Sequence, residues 1–308
     1  YQFLTTIRSP DGSLFTDSKG NVTSHLIGLF TRTTHLMKLG IKPAYVFDGE
    51  MPKLKKLEIR RRAEAKEEAA EKYAAAVKKG DTEEMKKYAA RSTRLTKEMI
   101  IDAKEVVEAL GLPAIQAPSE GEAQAAHMVA KMDAYVIASQ DADSLLFGAT
   151  RAVRNLSVEG RRKQAGVLGY SHAEPELILL GEVLSSLGVT QQQLICLAML
   201  VGTDYNTGGI KGIGPKTALK LVKEHKTPAN IFAAAEWDKH FSYQWQEALE
   251  LFEHPKLTDG YELKFRSANK DKLIRILCEK HDFSRQRVEK QLAELETSAA
   301  EKKTERAW

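Results

Sequence analysis

Cysteine is almost missing from this chain of 308 residues: Cys196 and Cys278 are the only two. Each lies in an apolar helical pattern with no paired spacing and no histidine beside it. This argues against a disulfide framework and a zinc site, and the thiols read as reduced packing residues of an intracellular protein. Long hydrophobic runs are missing too. The longest, 194–201, is far short of the ~20 residues that span a bilayer, and no signal peptide opens the chain, so a soluble protein without a membrane partner is expected. Nor is there a large excess of one charge, since 46 basic and 42 acidic side chains leave +4.

What the chain does have is six carboxylates in four short apolar settings. They are Asp48 in Tyr45-Val46-Phe47-Asp48-Gly49, Glu120 and Glu122 in Pro118-Ser119-Glu120-Gly121-Glu122, Asp141 and Asp143 in Ser139-Gln140-Asp141-Ala142-Asp143, and Asp204 in Gly202-Thr203-Asp204-Tyr205. An ionised carboxylate buried without a partner is strongly destabilising, so acids repeatedly set beside apolar runs call for cations. The basic residues nearest in sequence are too few, and metal is the natural answer. With these six set aside, 36 acids face 46 bases, and the remaining surface, at +10, suits a polyanionic partner.

The length accommodates one α/β body with a smaller helical region. Residues 24–39 carry Leu26, Ile27, Phe30, Leu36 and Leu39 at helical spacing, and 41–47 reads as a strand. From about Pro52 the composition turns to Lys, Arg, Glu and Ala, predicting two helices joined at Gly80, the second running from 83 to about 110. The first has only Ile59, Tyr73 and Val77 as large apolar residues and is expected to project into solvent. Its start holds Lys53, Lys55, Lys56, Arg60, Arg61 and Arg62, cations able to reach phosphates near Asp48. Downstream, strands at 134–138 and 152–156 alternate with a helix over 119–131. This order predicts a central, mostly parallel sheet covered by helices, with sites beyond the carboxyl ends of its strands, where Asp48, Asp141 and Asp143 fall.

Each acid also has an ordinary structural explanation. Ser119 and Glu122 fit a capping box, Glu120 suits a helix start, and Asp48 and Asp204 suit turns. Asp141 and Asp143 are harder to explain in this way, because two carboxylates directly after an apolar strand repel unless a cation lies between them. Together the six favour a metal cluster.

A second signal is Gly208-Gly209-Ile210-Lys211-Gly212-Ile213-Gly214-Pro215-Lys216-Thr217-Ala218, between a helix ending near Val201 and one from Pro215 to about Glu224. Glycines allow a tight turn with outward N–H groups, Ile210 and Ile213 anchor it, and Pro215 suits a first helical position. Such a turn can hold a phosphate, with Lys211, Lys216, Lys220 and Lys223 adding charge without reading bases. A Walker A loop is excluded, because the required G-K-[ST] spacing is missing.

Across essentially its whole length the chain resembles the flap endonucleases of the XPG-like nuclease family, in particular their archaeal branch. The carriers are Val46-Phe47-Asp48-Gly49, Gln116-Ala117-Pro118-Ser119-Glu120-Gly121-Glu122-Ala123-Gln124-Ala125-Ala126, Ala138-Ser139-Gln140-Asp141-Ala142-Asp143-Ser144-Leu145-Leu146-Phe147-Gly148, and Val201-Gly202-Thr203-Asp204-Tyr205 leading into the glycine turn. The resemblance implies a PIN-like nuclease core over 1–184 with a helical arch at about 53–98. It also implies a helical region over 185–290 with a helix-two-turn-helix at about 191–225, and a tail over 291–308. It implies two Mg²⁺ ions, replaceable by Mn²⁺, held by Asp48, Glu120, Glu122, Asp141, Asp143 and Asp204, with Lys55 and Arg62 on the scissile phosphate. DNA contacts would come from Tyr1, Lys211, Gly212, Gly214, Lys216 and Lys220, and a K⁺ ion would lie on the carbonyls of Ile210 and Ile213. The implied activity is cleavage of flapped DNA in replication and repair, with 5′–3′ exonuclease action, by an intracellular monomer of the cytoplasm or nucleoid.

Two departures stand out. The family's first strand carries a further metal-ligand aspartate that would precede Tyr1, so either a segment lies upstream or the first metal site is impaired. The family's sliding-clamp motif is not intact in 302–308, which offers only Trp308 and places Glu305 at the aliphatic position. The loop around 161–170 is irregular and is given no function. A catalytically dead DNA-binding scaffold would lack the acids, and a phosphatase or RNA-cutting nuclease would not need the glycine turn or the basic arch.

Overall fold

The computed structural model describes residues 2–9, 13–91, 93–156, 161–163, 170–172 and 174–305. In chain order the elements begin with α1 (Gln2–Thr6), α2 (Ser24–Lys38), β1 (Tyr45–Phe47), α3 (Lys55–Lys79), α4 (Thr82–Arg91), α5 (Lys97–Ala109) and β2 (Ala114–Gln116). Then follow α6 (Gly121–Ala130), β3 (Ile137–Ala138), α7 (Asp143–Leu146), β4 (Arg151–Arg154), β5 (Arg161–Lys163), β6 (Tyr170–His172) and β7 (Glu176–Leu179). The remainder is helical: α8 (Leu180–Leu187), α9 (Gln191–Val201), α10 (Pro215–His225), α11 (Pro228–Ala234), α12 (Trp245–Glu253), α13 (Lys270–Ile274) and α14 (Arg285–Glu305). Among the described residues no single helix is long and apolar enough to cross a membrane.

Two compact units result, the first comprising Tyr1–Tyr45, Arg60–Ile115 and Glu262–Trp308, the second Val46–Ile59 and Gln116–Tyr261. In the first unit α2 buries Leu26, Leu29, Phe30 and Leu36, and α14 buries Val288, Leu292 and Leu295, three- and four-residue spacings that put one apolar stripe on each helix. α5 contributes Val106 and Val107, and α13 Leu273 and Ile274. Full burial of each such aliphatic side chain contributes about 1.5–3 kcal/mol. The helix predicted to run unbroken from 83 to about 110 is instead two. Thr93 turns its hydroxyl back onto Ala89 O (2.9 Å), and Thr96 caps α5 by accepting from Met99 N (3.3 Å). These hydroxyls offer the backbone an alternative to the helical ladder, and the apolar periodicity does not register that competition.

Beneath the same unit His281 lies between two carboxylates, Nδ1 3.1 Å from Asp17 Oδ2 and Nε2 3.2 Å from Asp102 Oδ2, while Lys280 Nζ reaches Asp102 Oδ1 at 2.5 Å. Burial pushes the Asp17 carboxyl up, but hydrogen bonds from Asn21, His281 and Lys19 outweigh it and hold it at about 2.

The second unit carries the α/β part. β3 and β4 run parallel, Ile137 opposite Ala152 and Ala138 opposite Val153. β7 closes the sheet antiparallel to β4, with Ala152 opposite Ile178. The parallel pairing expected from the strand-helix-strand order is therefore present at β3/β4, and both strands are shorter than the apolar runs that announced them. α9 and α10 bury Ile195, Met199, Leu200, Ala218 and Val222 in one cluster with Phe232, Trp237 and Phe252. α9 starts at a full capping box between Thr190 and Gln193, and α10 starts with Pro215 at its first turn, as its sequence predicts.

The turn between these helices is anchored by Ile210, 3 % exposed, whose N–H donates to Leu200 O at 2.9 Å. Gly209 makes this approach possible: at φ +58° its missing Cβ would stand 2.3 Å from both Val201 C and Val201 O. Gly208, at φ +83°, has open space around it.

Gly209→Ala is therefore expected to destabilise the protein by about 3 kcal/mol, at the overpacked end of the range, and Gly208→Ala by only about 1 kcal/mol from its left-handed backbone. Equal urea midpoints for the two variants would contradict this. At Asp17, a carboxylate whose folded pKa lies below its unfolded value stabilises the fold fully above the unfolded value and loses that contribution as pH falls toward about 2. Asp17→Asn should consequently cost stability at neutral pH, with the gap to the parent narrowing in acid melts.

Candidate active site

All six carboxylates singled out by sequence belong to the second unit, and the backbone explains why they converge. Gln116 Nε2 donates to Phe47 O (3.2 Å) and Asp48 O (2.7 Å), while Gly49 N donates to Ser119 O (2.6 Å) and Glu50 N to Pro118 O (3.1 Å). The end of β1 is thus zipped to the entry of α6. Asp48 Oδ1 accepts from Gly121 N at 2.7 Å, an anionic oxygen on a helix's first turn.

The capping box read from Ser119 and Glu122 does not form. Ser119 gives its hydroxyl to Glu50 O (2.9 Å), and Glu120 takes the N-cap position without capping through its side chain. Glu122 is left to turn toward β3, where Ser139 Oγ donates to it at 2.6 Å. Ser139 Oγ also accepts from Asp141 N (3.1 Å), and Asp143 N leans on Asp141 Oδ1 (3.4 Å). One carboxylate oxygen from each of Glu122, Asp141 and Asp143 lies within 4.8 Å of the others.

Asp204 comes from the turn after α9. That turn is built by Asn206, 1 % exposed, whose side chain accepts from Thr203 Oγ1 (2.6 Å) and donates to Met199 O. Between Asp204 and α6 stands Lys55, with Nζ 2.6 Å from Glu120 Oε2 and 3.1 Å from Asp204 Oδ2. Of the two cations predicted to act on phosphate, Lys55 is thus with the acids. Arg62, two helical turns on, belongs to the first unit and is exposed. Lys211, Gly212, Gly214, Lys216 and Lys220 are exposed on the turn and the start of α10, and Ile213 packs beneath it. Tyr1 and Trp308 lie outside the described residues.

Crowding shows in the proton affinities. Burial, then repulsion from Asp141 and Asp143, raises Glu122 to about 7 despite the Ser139 hydrogen bond. Burial with Asp141 and Asp204 raises Asp143 to about 6. Glu120 is also raised, chiefly by burial, even with Lys55 beside it. Burial opposes the charge on Lys55, but Glu120 and Asp204 prevail and raise its pKa. Two like charges ~4 Å apart cost about 4 kcal/mol at an effective dielectric constant of about 20, and one lysine does not offset three such pairs. Glu120 Oε1 is moreover buried without a hydrogen-bond partner. A hard, all-oxygen donor set with an orphaned buried oxygen fits divalent cations of the Mg²⁺ or Mn²⁺ kind.

The far side of α6 is fastened by residues that sequence reasoning missed. Gln124, fully buried, donates to Thr258 O (2.8 Å) and accepts from Thr258 N (2.9 Å), as one strand would to another. His127 and Lys131 both reach Asp259 Oδ1, at 2.8 and 2.7 Å, and Tyr261 donates to Asp133. Ser139 was also missed. A glutamine in a helix and a serine before an aspartate carry no signal until the fold supplies their partners.

Residues 1–69 match the XPG N-terminal domain and residues 111–204 the XPG I-region. Flap endonuclease 1 of Thermococcus onnurineus is 51% identical over 310 residues, covering 100% of this chain and 89% of that protein. Flap endonuclease 1 of Pyrococcus furiosus is 52% identical over 295 residues, covering 96% and 85%. Among solved structures, flap endonuclease-1 from Methanococcus jannaschii superposes with a TM-score of 0.74 at 41% identity, over 98% of this chain and 90% of that one. The catalytic core of Rad2 in complex with DNA substrate does so at 0.68 and 25%, over 96% and 89%. With half its residues shared over its whole length, and all six carboxylates in one unit, the chain belongs to the flap endonuclease family.

Proposed function

We propose that the chain is a structure-specific 5′ nuclease that hydrolyses a phosphodiester of flapped DNA near the junction of single strand and duplex, leaving a 5′ phosphate and a 3′ hydroxyl, with 5′–3′ exonuclease action beside it. The observation that carries this reading is the set of carboxylates from β1, α6, the β3–α7 turn and the α9 turn, with one lysine among them. Asp48, Glu120, Glu122, Asp141, Asp143 and Asp204 would hold two Mg²⁺ ions, which when bound supply an activated water and charge stabilisation at the leaving oxygen. Lys55 leaves its carboxylate partners to meet the scissile phosphate, where its charge counts most as negative charge develops, and Arg62 acts with it.

The remaining assignments follow the same reading. Residues 1–184 form the nuclease core, with the arch at 53–98 guiding the single strand. Residues 185–290 hold the helix-two-turn-helix at 191–225, whose exposed Lys211, Lys216 and Lys220 and glycine backbone grip duplex phosphates, with K⁺ on the carbonyls of Ile210 and Ile213. The protein works as an intracellular monomer in replication and repair. Tyr1 remains an expected DNA contact.

With Mg²⁺, the protein should cut a 5′-flap duplex and leave single-stranded RNA and a phosphomonoester intact, and EDTA should abolish the cut. Cleavage of either alternative with the flap spared would replace this reading by that of a phosphatase or an RNA-cutting nuclease. Asp141→Ala should bind flap DNA like the parent in a gel-shift assay while cutting at least ~100-fold more slowly. Lys55→Ala should lose about 100- to 1,000-fold in single-turnover rate with little change in binding.

A further inference from the structure

α3 and the turn after α9 touch at two points with matched spacing. Lys55 meets Asp204, and three residues further along each segment Thr207 Oγ1 donates to Glu58 Oε2 at 2.7 Å. Lys55 and Glu58 share one face of the first turn of α3. Glu58 is 4 % exposed, on a helix most of whose charges beyond Arg60 face solvent, whereas Thr207 is exposed. The turn itself is stiff, because Asn206 ties Thr203 to Met199, and it runs directly through Gly208 and Gly209 into the anchored Ile210 and the exposed Lys211.

The two contacts differ in what becomes of them during a reaction. Lys55 has to let go of Glu120 and Asp204 to reach a phosphate, and its contact with the turn is then lost. The Glu58–Thr207 contact involves no group that meets substrate, so it can persist. From this we infer that Glu58 and Thr207 are positioning residues that hold the start of α3 on the glycine turn, so that gripping of duplex at 208–216 fixes the reach of Lys55. The inference rests on the nuclease reading above. It adds a residue pair that ties backbone binding to the placement of the lysine.

The test is Thr207→Val, which keeps shape and removes the donor, assayed on a 5′-flap duplex under single-turnover conditions with Mg²⁺. The expected result is a rate lowered about tenfold with the DNA dissociation constant within about twofold, and restoration by Thr207→Ser. In a Lys55→Ala background, Thr207→Val should cause no further loss, because the two changes act on one lysine. A Thr207→Val rate equal to the parent's, or the same tenfold loss with and without Lys55, overturns the inference. A loss tracked by a lower melting temperature and not restored by serine overturns it too, by making the contact merely structural. Failure of the parent to cut the flap at all overturns the nuclease reading itself, a result separable from the others because it needs no variant.

Discussion

Repulsion between carboxylates brought together, with Glu120 buried and Glu122, Asp143 and Asp204 half-buried, is the constraint around which the second unit is organised. Glu122, Asp141 and Asp143 are held within one ion's reach of each other, and Glu120 keeps a buried oxygen without a partner. A fold tolerates such crowding only if the backbone around it is over-determined. Here Asp48 directly follows β1, Glu120 and Glu122 sit at the start of α6, Asp143 opens α7 and Asp204 stands on a turn locked by Asn206, while Asp141 lies exposed in the β3–α7 connection with its N–H on Ser139 Oγ. Lys55 offsets part of the charge, at the edge of the cluster where it faces Glu120 and Asp204.

The same economy of rigid elements explains the division of labour in the chain. In the second unit apolar side chains concentrate beneath the glycine turn, where Ile210, Leu200 and Met199 are buried in one cluster. Elsewhere, as along α3 from Arg60 onward, the helix buries little more than Ala69 and Ala76 and owes its form to charge and alanine content. Precision follows buried area, and a segment with little of it opens locally at lower free energy.

Much of this was legible in the sequence, because acids after apolar strands and glycines before Pro215 are local patterns with local causes. α2, α10 and the end of α9 fall within a residue or so of where the sequence places them. What was illegible depended on partners far along the chain. Glu122 looked like a cap until Ser139, 17 residues on, proved to own it, and Ser119 went to Glu50 instead. The break between α4 and α5 escaped notice because two threonine hydroxyls caused it while the apolar pattern ran on. Glu58 resembled every other charge on its helix, and a threonine 149 residues away distinguishes it.

The strap over α6 has a consequence for how such a protein comes into being. Synthesis delivers Asp48 through Asp204 well before Thr258, Asp259 and Tyr261, yet the helix that carries Glu120 and Glu122 is fully fastened only once those three emerge. A chain still on the ribosome can therefore possess every acid of the cluster while its central helix waits for its last hydrogen bonds. The residues of the cluster thus precede in sequence the three that fasten the helix carrying two of them.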